Sequence, residues 1–356
     1  MMKNTDRDKI SLSTKPSENS NVETCSEKQQ GNGLEILKLL RPHQWTKSFF
    51  CLAGVIFGER LLEPQSIGLG FLTVVLFSAM ASAVYVFNDI QDVERDRKHP
   101  KKRFRPIASG KVPVKTALCI GLFLATFSLV GASHLGWATF TCILLYAVNN
   151  IFYSLYLKNQ PLFDVGCIAF GFVLRLLAGI YALGDVPTAW ITLCTFFLTL
   201  FLGFAKRRSE LLTLINQSLD SESTAKSEPE IETYETSLIN RHYLQLFYQR
   251  GKVNKQRPVL AQYTLPFLDS LLNSTATMTI MCYALFTIIS GKNPSLVITV
   301  PIVYYAVMHY KWMVTVLAIG EEPDRIVLQN QVIKLSLMIW LIAYLAIVYL
   351  DIHLFI

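Results

Sequence analysis

The sequence predicts an all-α integral membrane protein with about nine transmembrane helices. Of its 356 residues, 52% are hydrophobic, and the mean hydropathy is +0.36. Both values are too high for a soluble protein of this length. Apolar stretches of about 17 to 25 residues are typical of helices that cross a bilayer. Such stretches cover about residues 48–66, 68–88, 116–134, 137–157, 163–183, 188–205, 267–290, 295–317 and 333–354.

The basic residues give an independent test of this topology. If the N-terminus lies in the cytoplasm, the loops predicted inside contain nearly all basic clusters, and those predicted outside hold little beyond Arg60 and Lys292. Cytoplasmic loops of membrane proteins carry an excess of Lys and Arg. The net charge of +7 therefore reflects membrane orientation and phosphate binding, and it gives no reason to invoke nucleic acid. We expect a multi-pass protein of the cell (inner) membrane whose active site faces the cytoplasm.

Two polar segments lie outside the predicted spans. Residues 1–35 are rich in Ser, Asn, Lys and Glu and lack the apolar core of a signal peptide, so they predict a disordered cytoplasmic tail. The membrane domain would then occupy residues 36–356, with a polar cytoplasmic insertion at about 212–260. The seven cysteines are scattered without paired spacing, which predicts neither a disulfide framework nor a zinc site.

The most informative segment follows the second predicted span and reads Asn88-Asp89-Ile-Gln-Asp92-Val-Glu-Arg-Asp96. Asn88, Asp92 and Asp96 are four residues apart, so a continuing helix would project them from one face. An amide and several carboxylates suit Mg²⁺, which takes further ligands from water and substrate phosphates. We predict that Asn88, Asp92 and Asp96 bind Mg²⁺ and that Asp89, Asp92 and Asp96 are catalytic. The structural alternative is a solvated, charged loop.

Several other residues at predicted cytoplasmic helix ends are candidates for binding phosphate or substrate. Most of them are also what an interfacial anchor or a stop-transfer cluster contains, so a structural role is the alternative. Asp164 and Arg175 lie within a predicted span, where a charge is costly and normally faces a partner inside the bundle. The candidates are Lys47, Lys102, Arg103, Arg105, Tyr153, Lys158, Asp164, Arg175, Lys206 and Arg207.

Taken together, these segments resemble the UbiA superfamily of intramembrane prenyltransferases. Residues 88–96 match its N-D-x-x-D-x-x-x-D motif, and Arg103 to Pro106 match the basic segment that follows. The resemblance covers about residues 36–354 and implies a UbiA-like bundle of nine helices. The branch that resembles this chain most is that of the decaprenyl-phosphate phosphoribosyltransferases. The matching blocks are residues 41–47, 88–96, 102–110, 153–158, 172–175 and 206–211.

One departure favours this branch over the rest of the superfamily. Aromatic prenyltransferases of this fold resemble one another in a second Asp-rich motif after the sixth helix, which helps to hold Mg²⁺ on a prenyl diphosphate. Here that position reads Lys206-Arg207-Arg208-Ser209-Glu210. Cations have replaced one acidic cluster, as expected for a site that binds one metal-bound diphosphate and further phosphate monoesters.

The resemblance implies a Mg²⁺-dependent transferase of cell-envelope biosynthesis. It would move a 5-phosphoribosyl group from phosphoribosyl pyrophosphate to a polyprenyl phosphate and release pyrophosphate, with Asp164 binding a ribose hydroxyl or orienting Lys158. The expected partners are both substrates and the bilayer, and a homo-oligomer is left open. One alternative is prenyl transfer from a polyprenyl diphosphate to an aromatic acceptor. A membrane transporter is the alternative from another class, although the internal repeats and broken helices typical of transporters are not evident.

Overall fold

Long apolar runs of the sequence form long helices in the computed structural model, which describes residues 33–223, 258–320 and 323–354. Within those ranges no strand occurs. The long helices are Pro64–Gln91 (α1), Val114–Leu135 (α2), Trp137–Leu155 (α3), Phe163–Ala182 (α4), Ala189–Ser223 (α5), Leu265–Ile289 (α6), Val300–Thr315 (α7) and Gln331–Tyr349 (α8). Shorter helical segments cover 33–40, Pro42–Leu52, Ala53–Phe57, Val93–Arg97, Lys102–Phe104, Leu157–Asn159, Pro258–Gln262, Pro294–Thr299 and Pro323–Gln329.

Within the described ranges, seven helices are long and apolar enough to cross a membrane: α1 to α6 and α8, with α5 counted over Ala189–Asn216. This confirms an all-α, multi-pass membrane protein, but not the count of nine. Helix α7 has only 16 residues. It approaches the length of a span only together with the 3₁₀ turn Pro294–Thr299 that precedes it.

The predicted span over residues 48–66 is wrong. Residues Pro42–Leu52 form a 3₁₀ helix, and the α-helix that follows ends at Phe57. Its end is a turn in which Arg60 N–H donates to the Val55 carbonyl at 3.1 Å and Glu59 adopts a left-handed φ of 60°. Charged residues then reach the surface before Pro64 starts α1, a position where proline lacks only an N–H that has no helical partner.

The described residues form two units. The first comprises the chain up to Pro42 together with Tyr85–Cys119, and the second comprises His43–Val84 together with Ile120–Ile356. The first unit has a small apolar core between the 33–40 helix, the end of α1 and the loop before α2. This core positions the acidic motif and consists of Leu39, Val86, Val93, Ile107, Val112 and Ala117.

The second unit is a helix bundle in which α3 packs on α4, α4 on α5, and α5 on α6. Its largest core cluster joins α5, α6 and α7 through Phe201, Leu272 and Tyr310. Close helix contact depends on Gly179 of α4, where an added Cβ would lie 1.9 Å from the Cys51 carbonyl oxygen.

The predicted N-terminal tail and insertion lie mostly outside the described residues. Of the tail, only 33–35 are described, and these residues are helical. Of the insertion, 212–223 continue helix α5 and the last residues form the turn Pro258–Gln262. The domain boundaries themselves therefore stay predictions.

Candidate active site

The acidic motif continues the helix that the second apolar run begins. Helix α1 ends at Gln91, Asp92 has a turn-like φ of −91° and ψ of 2°, and a short helix resumes at Val93. Asp92 N–H donates to the Asn88 carbonyl at 3.0 Å, and Asp96 N–H donates to the Asp92 carbonyl at 2.8 Å. These are the four-residue hydrogen bonds of an α-helix, so the helical spacing persists through the motif.

Two carboxylates of the motif converge on one guanidinium. Asp89 and Asp96 are both buried. Arg105 Nη1 donates to Asp89 Oδ1 at 3.0 Å and to Asp96 Oδ2 at 2.6 Å. Arg41 Nη2 donates to the same Asp89 oxygen at 2.6 Å. Because a buried carboxylate without a partner is strongly destabilising, these contacts with two arginines stabilise both acids inside the first unit.

The oxygen donors of the acidic motif are suited to binding Mg²⁺. In the parts of the chain that the structure describes, no three Asp, Glu, His or Cys side chains form a metal site by themselves. Mg²⁺ does not need one, since it usually binds through one or two carboxylates, with water and substrate phosphates completing the shell. Asp89 and Asp96 already direct oxygens at one positive group, Arg105 Nη1. Asp92 is half-buried, pairs with Arg95, and lies on the same helical segment.

The basic residues after the motif differ in their surroundings. Lys102 and Arg103 are exposed on the turn Lys102–Phe104, and the Arg103 guanidinium carbon lies 4.8 Å from the Phe104 ring centroid. Arg105 instead belongs to the acidic cluster. Arg41 was not among the predicted site residues; its guanidinium carbon also lies 5.0 Å from the centroid of the Tyr85 ring. Its position in the matched block 41–47 was the available signal.

A second cluster of charges lies in the second unit, around Asp164 at the start of α4. Asp164 is 0% exposed, and Arg207 is 2% exposed. Arg207 Nε donates to Asp164 Oδ2 at 2.6 Å, and Nη1 donates to Glu210 Oε2 at 2.8 Å. The Tyr263 hydroxyl donates to Asp164 Oδ1 at 2.8 Å. Both oxygens of Asp164 thus have partners, and the charged partner is Arg207.

Tyr263 is a member of this cluster that the sequence did not indicate, and Arg208, next to Arg207, has partners of its own. Tyr263 lies 99 residues from Asp164, and no motif singled it out. Arg208 donates from Nε to Asp269 Oδ1 at 2.6 Å and from Nη1 to the Val314 carbonyl at 2.8 Å. The two arginines after Lys206 therefore connect α5 to three neighbouring segments.

Four further candidates in the second unit are half-buried. Lys158 lies on the turn Leu157–Asn159, Tyr153 in the last part of α3, Lys206 on α5, and Lys47 in the 3₁₀ helix Pro42–Leu52. Each of these positions leaves part of the side chain accessible to a ligand.

Arg175 is buried half way along α4 and is surrounded by aromatic rings. Its guanidinium carbon lies 5.1 Å from Phe77, 4.6 Å from Tyr146 and 5.1 Å from Phe172, measured to the ring centroids. Nη2 donates to the Tyr146 hydroxyl at 2.9 Å, and Nη1 donates to the Gly171 carbonyl at 3.0 Å. Within the described residues, Nε has no hydrogen-bond partner. Aromatic faces attract a desolvated cation, so they replace the carboxylate expected at this depth.

Known proteins are similar to this chain in sequence and fold. A family model described as "UbiA prenyltransferase family" matches residues 48–209, the range that contains the acidic motif and the Asp164–Arg207 pair. Over these residues, just under half of the chain, it is similar to the UbiA prenyltransferase family. The solved structure of a UbiA homolog from Archaeoglobus fulgidus bound to GPP and Mg²⁺ aligns with a TM-score of 0.60 at 18% identity. The alignment covers 88% of this chain and 99% of that one, which shows the same fold.

Two curated relatives have the same name, decaprenyl-phosphate phosphoribosyltransferase. The protein of Corynebacterium glutamicum is 35% identical over 209 residues, and this alignment spans 56% of this chain and 59% of the relative. The protein of Mycobacterium tuberculosis is 27% identical over 311 residues, or 86% of this chain and 91% of the relative. The family match and these relatives, one of them aligned over 91% of its length, support a membrane transferase.

Proposed function

We propose that this UbiA-like enzyme transfers a 5-phosphoribosyl group from phosphoribosyl pyrophosphate to a polyprenyl phosphate. A lipid phosphate oxygen attacks C1 of the ribose, the bond from C1 to the pyrophosphate oxygen breaks, and pyrophosphate leaves. The relatives named above support this substrate pair. We place the protein in the inner membrane with its active site on the cytoplasmic side, in keeping with the positive-inside rule.

The observation that carries the proposal is the ion pairing around Lys206 to Glu210 on α5. Aromatic prenyltransferases resembling this family carry a second Asp-rich motif there. In this chain the nearby acids Asp164 and Glu210 both accept from Arg207, so their charges are compensated by the protein. A second Mg²⁺ on a prenyl diphosphate has no comparable set of ligands in these residues. This counts against a prenyl diphosphate that needs a second Mg²⁺ here, and it favours the pair of phosphoribosyl pyrophosphate and polyprenyl phosphate.

In the first unit we assign the pyrophosphate and its metal to the acidic motif. Asn88, Asp89, Asp92 and Asp96 are the oxygen donors that would hold Mg²⁺. When bound, Mg²⁺ supplies a Lewis acid for the charge that builds on the departing pyrophosphate. Arg105 remains within reach of the same acids and donates charge-assisted hydrogen bonds to phosphate oxygens.

Exposed Lys102 and Arg103 add further donors for phosphate oxygens. In the second unit, Lys47, Lys158 and Lys206 are the candidates for the ribose 5-phosphate and the lipid phosphate, and Tyr153 is a candidate for a hydrogen bond to substrate. Because its donors already meet Asp164 and Glu210, we assign Arg207 to positioning. A polyprenyl phosphate is anionic at neutral pH, so its nucleophilic oxygen needs no general base.

The test is a transfer assay with the purified full chain in detergent. Phosphoribosyl pyrophosphate labelled with ¹³C in the ribose is incubated with a polyprenyl phosphate and Mg²⁺. Release of pyrophosphate is followed, and the mass of the lipid product is measured by mass spectrometry. We expect a lipid that carries labelled phosphoribose. A product formed only from a polyprenyl diphosphate and an aromatic acid would overturn the proposal, and so would the absence of product with either pair.

A further inference from the structure

The loop between α3 and α4 carries Lys158 and ends in an unfavourable backbone conformation. Leu162 has a φ of 67°, a left-handed value that a branched residue adopts only when its surroundings hold it there. Since α4 begins at the next residue, the conformation of Leu162 sets the direction in which the loop approaches the helix. Whatever fixes Leu162 therefore also fixes the position of the Lys158 turn.

The segment after the insertion provides the contacts that hold this loop. The Tyr263 hydroxyl accepts a hydrogen bond from Leu162 N–H at 2.6 Å and donates one to Asp164 Oδ1 at 2.8 Å. Gln262 Nε2 donates to the carbonyl of Asn159, the residue after Lys158, at 3.1 Å. Two adjacent side chains thus bind both halves of the loop.

Tyr263 is suited to this double role. Its ring is buried in the apolar core of the second unit, which fixes the position of the hydroxyl. Burial, together with the neighbouring Asp164 carboxylate, raises the pKa of the Tyr263 phenol. The hydroxyl therefore stays protonated at neutral pH. It donates a hydrogen bond to Asp164 and accepts another from the Leu162 N–H.

We propose that Tyr263 is a positioning residue of the transfer reaction, whose hydroxyl joins the Asp164 carboxylate to the Leu162 N–H and so holds the loop that carries Lys158. The proposal rests on the proposed function in one respect, since there Lys158 is assigned to a substrate phosphate. Asp164 already has Arg207 as its charged partner. The tyrosine hydroxyl is thus not needed to neutralise the acid, and its distinct contribution is to the loop.

Tyr263→Phe is the matching perturbation, because it keeps the buried ring and removes only the hydroxyl. We expect kcat/KM to fall roughly 10- to 100-fold, the loss associated with displacing a substrate-binding group by about 1 Å. Tyr344→Phe is the control. Tyr344 is equally buried, and its hydroxyl has no hydrogen-bond partner among the described residues, so its removal should leave kcat/KM unchanged.

A double-mutant cycle separates positioning from general stability. If Tyr263 acts through Lys158, Tyr263→Phe combined with Lys158→Met should be no slower than Lys158→Met alone. Independent, additive losses would overturn the proposal, and so would wild-type kcat/KM in Tyr263→Phe. The cycle is read with whichever substrate pair the wild type uses. A wild type active only on a prenyl diphosphate would overturn the proposed function and leave the cycle readable.

A second measurement needs no purified enzyme. Asn159→Cys, in a background without the native cysteines, reports access to the loop through its alkylation rate in membranes. With Tyr263→Phe added, alkylation should become severalfold faster, whereas adding Tyr344→Phe should leave the rate unchanged. Equal rates in the presence and absence of Tyr263→Phe would overturn the proposal even if that variant folds poorly in detergent.

Discussion

Asp164→Asn should destabilise the protein far more than the same substitution at the other end of the same helix. Asp164 and Asp185 flank α4, and each pairs with an arginine. The Asp164–Arg207 pair is almost fully buried, at 0% and 2% side-chain exposure. The side chains of Asp185 and Arg60 are 27% and 35% exposed, although their two hydrogen bonds, of 3.0 and 2.7 Å, have good geometry.

The difference in burial sets the expected magnitudes. Removing one partner of a buried ion pair costs about 3–5 kcal/mol, because the remaining charge is left without compensation. Asparagine still accepts from Tyr263, and Glu210 still faces Arg207, so the loss for Asp164→Asn should lie near the lower limit, about 3 kcal/mol. For Asp185→Asn, solvent screening reduces the expected loss to about 1 kcal/mol or less.

The free energy of unfolding can be compared by titrating each purified variant from mild detergent into sodium dodecyl sulfate and following tryptophan fluorescence. Adding Arg207→Gln to Asp164→Asn should recover part of the stability, since it removes the uncompensated cation. Equal destabilisation by Asp164→Asn and Asp185→Asn would refute the reasoning from burial. A double variant whose loss is the sum of the two single losses would refute the coupling.

Three further outcomes are expected. Asp96→Ala should insert normally into the membrane but abolish phosphoribosyl transfer in the mass-spectrometric assay. Glu94→Ala, at an exposed position of the same segment, should retain activity. Transfer by Asp96→Ala at the wild-type rate would contradict the metal assignment. Removing divalent cations with EDTA should stop transfer, and Mg²⁺ should restore it; activity that survives chelation would count against a metal. Gly179→Ala should cost more than about 1–3 kcal/mol of stability through overpacking against Cys51, whereas Gly166→Ala, with nothing within 4 Å, should be nearly neutral in the same titration.

Sequence reasoning predicted the helices well where an apolar run ends at clear polar or glycine signals. The predicted span 163–183 corresponds to α4, Phe163–Ala182, because the run stops before a glycine turn. The prediction of a span over 48–66 failed. There Glu59, with its left-handed φ, and two further charged residues interrupt the apolar run, but they do not lower its average hydropathy enough to reveal the break. Local conformations such as the φ of Glu59 depend on how the chain reverses, which hydropathy does not encode.

The partners of charged residues were harder to predict than the residues themselves. The acidic motif and Asp164 stand out in the sequence, because carboxylates next to apolar runs demand a partner. For Asp164 the expected roles were to bind a ribose hydroxyl or to orient Lys158, but the structure pairs it with Arg207, 43 residues away. That choice follows from how α4 and α5 are rotated about their axes when they pack, and rotation depends on contacts along the whole helices.

The cluster around Arg105 and the cluster around Arg207 both pair arginine with aspartate, but they differ in how accessible the arginine is to solvent. Arg105 holds Asp89 and Asp96 with 28% of its side chain exposed, while the two acids are only 5% and 2% exposed, so a phosphate anion can reach the cluster through the guanidinium. Arg207 holds Asp164 with 2% exposed, and neither partner can exchange without opening the fold. A partly exposed guanidinium can exchange its partner for a ligand at lower cost, whereas a pair with both members buried is lost only at high cost. The first cluster is therefore suited to binding and release during turnover, and the second to holding the Lys158 loop throughout it.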